Sequence, residues 1–390
     1  MKIPISSRME HFLAPGVFTE LAERRRALEA EGRQVIDLSI GSPDLPPSLD
    51  IREAVSQTAL KPWSYGYSLG DLPELRRAAQ SWYYGRYGVL LDPERELLGL
   101  SGAQDGLVHF LLAFTEPGDK VLVPDPCFPA VMTGVRLAGA EPVFLPLREE
   151  NGFLIDFPGI SPKDAAAAKV IFVSYPNNPT GATAPDSFYR DLIAFAAKYG
   201  ILVLHDNAYS DMVFDGPPGR SFLEFEGAKD VGVELNSLSK SYSIPGARMA
   251  FLAGNAGIVS VFARLKSSLD LGAFYPAQRA AIAALTGDQA DVEDLRRLYA
   301  RRRDVLTAGL REAGLSPAPC RGSLFIWSRL PEGIQDDRAF VLELLARSGV
   351  LLAPGSAFGS EGRGRVRASL MCREPALREA ARRIGESGLL

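Results

Sequence analysis

The chain has 390 residues, 46% hydrophobic and 23% charged, an ordinary balance for a globular protein with room for two domains and a large core. A formal charge of −4 offers no basic surface for nucleic acid or an anionic membrane, no 18-residue apolar run is present to span a bilayer, and the stretch from Met1 to Arg8 lacks a signal-peptide core. Three cysteines, Cys127, Cys320 and Cys372, have neither metal-ligand spacing nor the numbers for a disulfide framework, so the expected setting is a reducing cytoplasm without a metal.

Residues 17–31 read as an amphipathic helix stopped by Gly32, and Val35–Ile40 as a short strand. The loop from Gly41 to Pro47 follows; a glycine there lets a ligand approach the backbone, or simply makes a turn. Lys61–Gly70 is aromatic and glycine-rich and leads into a helix starting near Leu72-Pro73, where proline suits the first turn. Leu97–Leu100, then Ser101-Gly102-Ala103-Gln104, reads as strand, turn and helix start. Free N–H groups at such a start can take an anion, although many α/β turns look alike, and the turn is neither a dinucleotide fingerprint nor a Walker loop. The strand at Lys120 runs into a proline-set loop carrying Phe128, whose ring could stack on a cofactor or fill core.

Lys169–Ser174 is a near-continuous apolar strand of the buried parallel type, ending in the turn Tyr175–Gly181 with Asn178 as an amide donor. Ile201–Leu204 is another, and Asp206 at its mouth is expensive to bury without a partner. A protonated pyridine nitrogen would be such a partner, with Tyr209 able to donate to a phenolate oxygen beside it. A further strand, Val231–Leu235, opens the stretch Asn236–Arg248. There the Lys240 amine can condense with an aldehyde, while Ser237, Ser239 and Arg248 can hold a phosphate. Pyridoxal phosphate carries both groups. Taken alone, the stretch reads equally as a surface loop with an exposed lysine. The histidines His11, His109 and His205 show no ligand spacing and are read as structural.

Strands alternating with helical segments predict a doubly wound α/β domain with a mostly parallel sheet, whose ligands bind beyond the strands' carboxyl ends. The 101–104 turn, Phe128, Asn178, Asp206 with Tyr209, and Lys240 all fall at such ends. That convergence separates them from independent loops. After about residue 275 the pattern changes to a smaller α+β domain. It has an arginine-rich helix over 292–313 with a solvated face, strands near 323–328, 350 and 364–370, and helices over 338–348 and at the chain's end. The expected layout is 46–275 for the large domain and 1–45 with 276–390 for the small one.

These motifs resemble a class I aminotransferase of the aspartate aminotransferase fold (pyridoxal-phosphate fold type I) from about Ile36 to Ile384. The resemblance rests on Tyr175–Gly181, Asp206–Tyr209, Ser237–Lys240 with Arg248, and Arg365–Ser369. Within that family, Asp37–Pro47, Asp270–Gln278 and Ala353–Gly359 resemble LL-diaminopimelate and alanine aminotransferases alike. The resemblance implies that Lys240 tethers the cofactor by a Schiff base and then carries a proton, and that Asp206 pairs with the pyridine nitrogen. Asn178 and Tyr209 would bond the ring's phenolate oxygen, and Phe128 would stack on the ring. Ser237, Ser239, Arg248 and the backbone at Ala103 and Gln104 would hold the phosphate. Tyr65 would reach the phosphate of a neighbouring subunit in a homodimer. Arg367 would clamp the substrate α-carboxylate, with Gly41 letting the substrate lie against the backbone and Asn178 beside it.

The chain departs from the diaminopimelate pattern in places. Ala103 has no hydroxyl for the phosphate, the loop Tyr65–Gly70 has no acid to meet a distal ammonium, and Ser267-Ser268 stands where that subgroup tends to carry an amide. For a dicarboxylate substrate, Arg264 and Arg279 are the distal candidates. The expected function is transfer of an amino group between an amino acid and a 2-oxo acid, with LL-diaminopimelate and 2-oxoglutarate as one candidate pair and alanine- or aspartate-type substrates as the alternative. A carbon–sulfur β-lyase and a non-catalytic ligand-sensing domain are the competing readings.

Overall fold

The structure, a computed structural model, describes residues 3–10, 12 and 16–390. His11 lies outside the described residues. Only the longer helices are numbered. The chain enters through α1 (Val17–Ala30) and β1 (Ile36–Asp37). The strand expected over 35–40 is cut to two residues because Asp37 captures the backbone that would continue it. Its Oδ1 accepts from the Ser39 N–H (2.8 Å) and hydroxyl (2.6 Å), a local turn that competes with ladder pairing. Then come α2 (Leu49–Ala59) and α3 (Pro73–Tyr87), which has Pro73 at its first turn and left-handed Gly88 (φ 69°) ending it.

The central sheet takes β2 (Leu97–Leu100), β3 (Lys120–Asp125), β4 (Glu141–Pro146), β5 (Ala168–Ser174), β6 (Leu202–Asp206), β7 (Gly232–Ser237) and β8 (Ala250–Gly254) in the order β2-β8-β7-β6-β5-β3-β4. β8 runs antiparallel to both its neighbours and the other pairings are parallel, so the sheet is mostly parallel and doubly wound. Side chains alternate between two cores. In β5, Val170 and Phe172 face one cluster while Ile171 and Val173 face the other, which is why an unbroken apolar run was needed there. Helices α4 (Ala103–Phe114), α5 (Ala130–Ala138), α6 (Asp186–Tyr199) and α7 (Ala256–Leu269) cover the faces. Helix α8 (Tyr275–Thr286) follows and packs against α2 and α3, with Ala280, Ala281, Ala284 and Leu285 in the same core as Ile171.

The remaining chain forms α9 (Ala290–Glu312), β9 (Phe325–Arg329), α10 (Asp337–Ser348), β10 (Val350–Leu351), β11 (Arg365–Ser369) and α11 (Glu374–Gly385). β9 pairs antiparallel with β11, β10 pairs with β1, and their core gathers Leu21 and Leu38 from the amino-terminal segment.

One polar knot lies inside the sheet core. Glu234 of β7 is fully buried, and its carboxyl accepts from the Tyr83 hydroxyl (2.8 Å), the Ser221 hydroxyl (2.9 Å) and the Phe222 N–H (2.8 Å), with His205 Nδ1 at 2.9 Å. Truncating Glu234 to alanine strands these donors in an apolar interior, where each unmade bond is costly. The expected loss is about 3–5 kcal/mol of stability, read from denaturant unfolding. A loss under about 1 kcal/mol, the scale of an exposed pair, would contradict this account of the knot.

Candidate active site at the carboxyl edge of the sheet

Five strand ends and one face of the smaller part meet at this edge. β7 ends at Ser237, which caps a single helical turn over Leu238–Ser241 by accepting from the Ser239 N–H (3.2 Å). That turn presents Lys240, whose ammonium end donates to the carbonyl of Gly41. Downstream, Arg248 adopts a left-handed backbone (φ 53°), uncommon for a residue with a Cβ. Its guanidinium lies so close to Gly102 that a Cβ there would sit 2.3 Å from Nη2. Gly102 (φ 98°) stands just before α4, so Arg248 is brought to the open N–H groups of Ala103 and Gln104 at the helix start. A guanidinium and a helix amino terminus thus meet in the manner of an anion cradle, and the turn carrying Ser237 and Ser239 adjoins it, the Leu238 N–H donating to the carbonyl of Met249 (3.2 Å).

Beside it, Asp206 ends β6. One oxygen accepts from the Ala208 N–H (3.1 Å), and burial raises its pKa to about 6. Successive residues of a strand face opposite sides, so His205 turns to Glu234 while Asp206 turns to the α4 side. His109, on α4, has its Nδ1 2.8 Å from an Asp105 carboxyl oxygen. Lys240 is lowered to about 8, first by burial and then by the positive fields of Arg367 and Arg248, with Asp206 opposing. Burial raises the Tyr209 hydroxyl above its ordinary value, against the pull of Arg367. Phe128 and Ala103 both pack against the core that holds the α4 side of the sheet.

The substrate side is built around Arg367 of β11. Its Nη1 donates to Asn178 Oδ1 (2.8 Å) and its Nη2 to the Ser39 carbonyl (2.6 Å). The guanidinium is sandwiched by the rings of Phe325 (3.9 Å from the ring centre) and Phe358 (4.6 Å). Burial lowers Arg367 to about 10, so it remains a cation at neutral pH, and Nε has no hydrogen-bond partner. Gly41 lies under the same assembly, where a Cβ would meet the Phe325 ring at 2.5 Å. A desolvated cation held by neutral acceptors and aromatic faces is a site for a carboxylate.

Pyridoxal phosphate fits these residues. The cradle suits its phosphate, the buried Asp206 carboxyl needs a cationic partner such as a pyridinium, and Lys240 supplies a partly neutral amine.

The model of the family "Aminotransferase class I and II" matches residues 33–384. The chain belongs to this family. It is therefore a pyridoxal-phosphate-dependent aminotransferase of fold type I, acting on amino and 2-oxo acids. It is 43% identical over 373 residues to the LL-diaminopimelate aminotransferase of Desulforudis audaxviator, covering 95% of each chain. It is 39% identical to that of Halothermothrix orenii, covering 97% of each. Among solved structures, the substrate-bound BacF of Bacillus subtilis superposes with a TM-score of 0.94 at 37% identity over 98% of both chains. The probable N-succinyldiaminopimelate aminotransferase of Thermus thermophilus does so with 0.91 at 40% identity, over 95% of this chain and all of that one.

Tyr65 is not brought to this aminotransferase site within the chain. It is exposed, its hydroxyl donates to the Ala59 carbonyl (2.8 Å), and its ring leans on Phe274. Of the distal candidates, Arg279 pairs with Glu74 (3.2 Å), and Arg264 is exposed on α7, where its carbonyl takes the Ser267 hydroxyl. Phe325 and the Ser39 carbonyl were not foreseen. A phenylalanine in a strand looks like any core residue, and a carbonyl leaves no mark in a sequence.

The lowered amine gives a pH prediction. Only the unprotonated amine attacks an aldehyde, and an ordinary lysine titrates at 10.5. Uptake of pyridoxal phosphate by the cofactor-free protein should therefore quicken through pH about 8 and level off above it. Stopped-flow absorbance would measure this, and a rate still climbing about tenfold per unit beyond pH 9 would contradict it.

Proposed function

We propose that this aminotransferase works at the Lys240 cleft, with LL-diaminopimelate as donor and 2-oxoglutarate as acceptor. The observation that carries the site is the buried Arg367, a cation set between two rings and two neutral acceptors at the edge where Lys240 and Asp206 meet. The donor is supported by the relatives named above, alike over nearly the whole chain.

Pyridoxal phosphate, when bound, supplies an aldehyde carbon that condenses with amines and a ring that accepts the electron pair left as Cα loses its proton. The chain's residues do the rest. Ser237, Ser239, Arg248 and the N–H groups of Ala103 and Gln104 bind the phosphate. Asp206 would hold a proton on the pyridine nitrogen, Asn178 and Tyr209 would bond the phenolate oxygen, and Phe128 would stack on the ring. Arg367 engages the α-carboxylate with the N–H groups left over from Asn178 and Ser39, and Gly41 leaves room for Cα. Lys240 would take the proton from Cα on its neutral amine and give it to the carbon on the far side of the amino nitrogen, the work of a general base tuned toward neutral pH.

The reading also places Tyr65 in the site of a second copy, making the protein a homodimer, and sets it in the cytoplasm. It divides the chain into a large cofactor-binding part over 46–275, carried on through α8, and a smaller part from 1–45 and the rest of 276–390.

The test compares kcat/KM for LL-diaminopimelate, alanine, aspartate and glutamate with 2-oxoglutarate as acceptor, or pyruvate where glutamate is the donor. LL-diaminopimelate should exceed the others by at least about tenfold, one distal ammonium contact's worth. Equal values would remove it as the natural donor. Release of pyruvate and ammonia from cystathionine without an acceptor would point to lyase chemistry instead.

A further inference from the structure

Arg367 is buttressed by Phe358, and Phe358 belongs to a loop that the central sheet holds from outside the substrate site. Asp125 ends β3 and is buried. Its Oδ2 accepts from the Ser360 hydroxyl (2.6 Å) and N–H (3.0 Å), and its Oδ1 from the Glu361 N–H (3.2 Å). Two residues on, the Cys127 N–H donates to the carbonyl of Phe358 itself (2.8 Å). Gly359, between the two attachments, has φ 141°, and a Cβ there would lie 1.9 Å from Asp125 Oδ1. The loop's other side is tied within the smaller part. Asp337 accepts from the Ser356 N–H and hydroxyl and from the Gly364 N–H (3.0 Å). The segment is therefore stretched between a carboxyl on α10 and a carboxyl on the sheet, with Phe358 in the middle against the guanidinium at 4.6 Å and Trp327 at 5.9 Å.

We propose that Asp125 is a positioning residue for carboxylate recognition: by capping the 359–361 turn it seats Phe358 on Arg367 and so fixes the plane of the guanidinium. Neither Asp125 nor Ser360 needs to touch substrate. A planar two-pronged donor tolerates little tilt, so a loosened ring on one face costs binding of the carboxylate while leaving Lys240 and the cradle unaltered. The same link spans the large and small parts, so the arginine's geometry depends on how the smaller part sits on the sheet. The inference rests on the reading of Arg367 as the carboxylate clamp.

The test uses the holoenzyme in four forms, Asp125→Ala, Asp125→Asn, Gly359→Ala and the double Asp125→Ala/Gly359→Ala, beside Arg367→Ala. Asp125→Ala should raise KM for every amino acid tried by about tenfold, the scale of the lost charge-assisted bonds, with kcat within about threefold. Cofactor content and its absorption band should not change. Asp125→Asn keeps one acceptor oxygen and should fall between. Gly359→Ala breaks the contact from the other side and should match Asp125→Ala, and the double variant should be no worse than either, because both remove one link. A purely structural Asp125 would lower the melting temperature and leave KM alone. Wild-type KM in Asp125→Ala and Gly359→Ala, with KM raised in Arg367→Ala, overturns this inference and keeps the clamp. An unchanged KM in Arg367→Ala as well overturns both.

Discussion

Replacing Lys240 by alanine is expected to reduce transamination by on the order of 10⁵-fold or more, because the role proposed for this one side chain is both to hold the cofactor and to move the proton, and such combined roles are lost together. The loss should lie in kcat. The cradle of Ser237, Ser239 and Arg248 remains, so the variant should still bind pyridoxal phosphate, but without a bond that borohydride can make permanent. Added methylamine or ethylamine should restore a small part of the rate, since a free amine can stand where Nζ stood, and rescue should grow with the fraction of amine that is unprotonated. Unfolding would give neither binding nor rescue. Full activity in Lys240→Ala would end the case for this lysine.

Arg367→Ala should act on the other half of the reaction. It removes the buried cation proposed to meet the group common to all donors and acceptors. Truncating one partner of a buried charged contact costs about 2–5 kcal/mol. KM should therefore rise roughly 30- to 5,000-fold for every amino acid, with a smaller change in kcat. Arg367→Lys should recover little, because an ammonium cannot present two parallel donors or lie flat between Phe325 and Phe358. A rise confined to one donor would mean that the arginine reads the side chain rather than the α-carboxylate.

The parts of this site that were legible in the sequence are those where chemistry and backbone period coincide. β5 and β6 are buried on both faces, so they had to be continuous apolar runs, and the polar residues just past them, Asn178, Asp206 and Tyr209, stood out against that background. Lys240 was legible because hydroxyls and an arginine accompany it. β8 was not, since Ala250–Gly254 is short and composed largely of small residues, and β4 was hidden by two prolines that an edge strand tolerates. Arg367 carried no signal of its own beyond the resemblance, as arginines are common on exposed strands. Its burial comes from Phe325 and Phe358, which reach it from separate elements. Glu234, a charged residue within a largely apolar strand, is the acceptor that gathers Tyr83, Ser221 and Phe222.

Among the described residues no helix is long and apolar enough to cross a membrane, and no group of three or more histidine, cysteine or acidic residues is arranged to hold a metal ion. Cys127, Cys320 and Cys372 are unpaired, and burial pushes the thiols of Cys127 and Cys320 up to about 12, which keeps them out of thiolate chemistry at neutral pH.

The most direct test of the cleft is borohydride reduction of the cofactor-loaded protein, followed by digestion and mass mapping of the modified lysine. The cofactor's mass is expected on the peptide containing Lys240 and on no other. Modification centred on another lysine, such as the buried Lys266 that pairs with Asp270, or a folded, cofactor-loaded protein with no reducible bond at all, would contradict it.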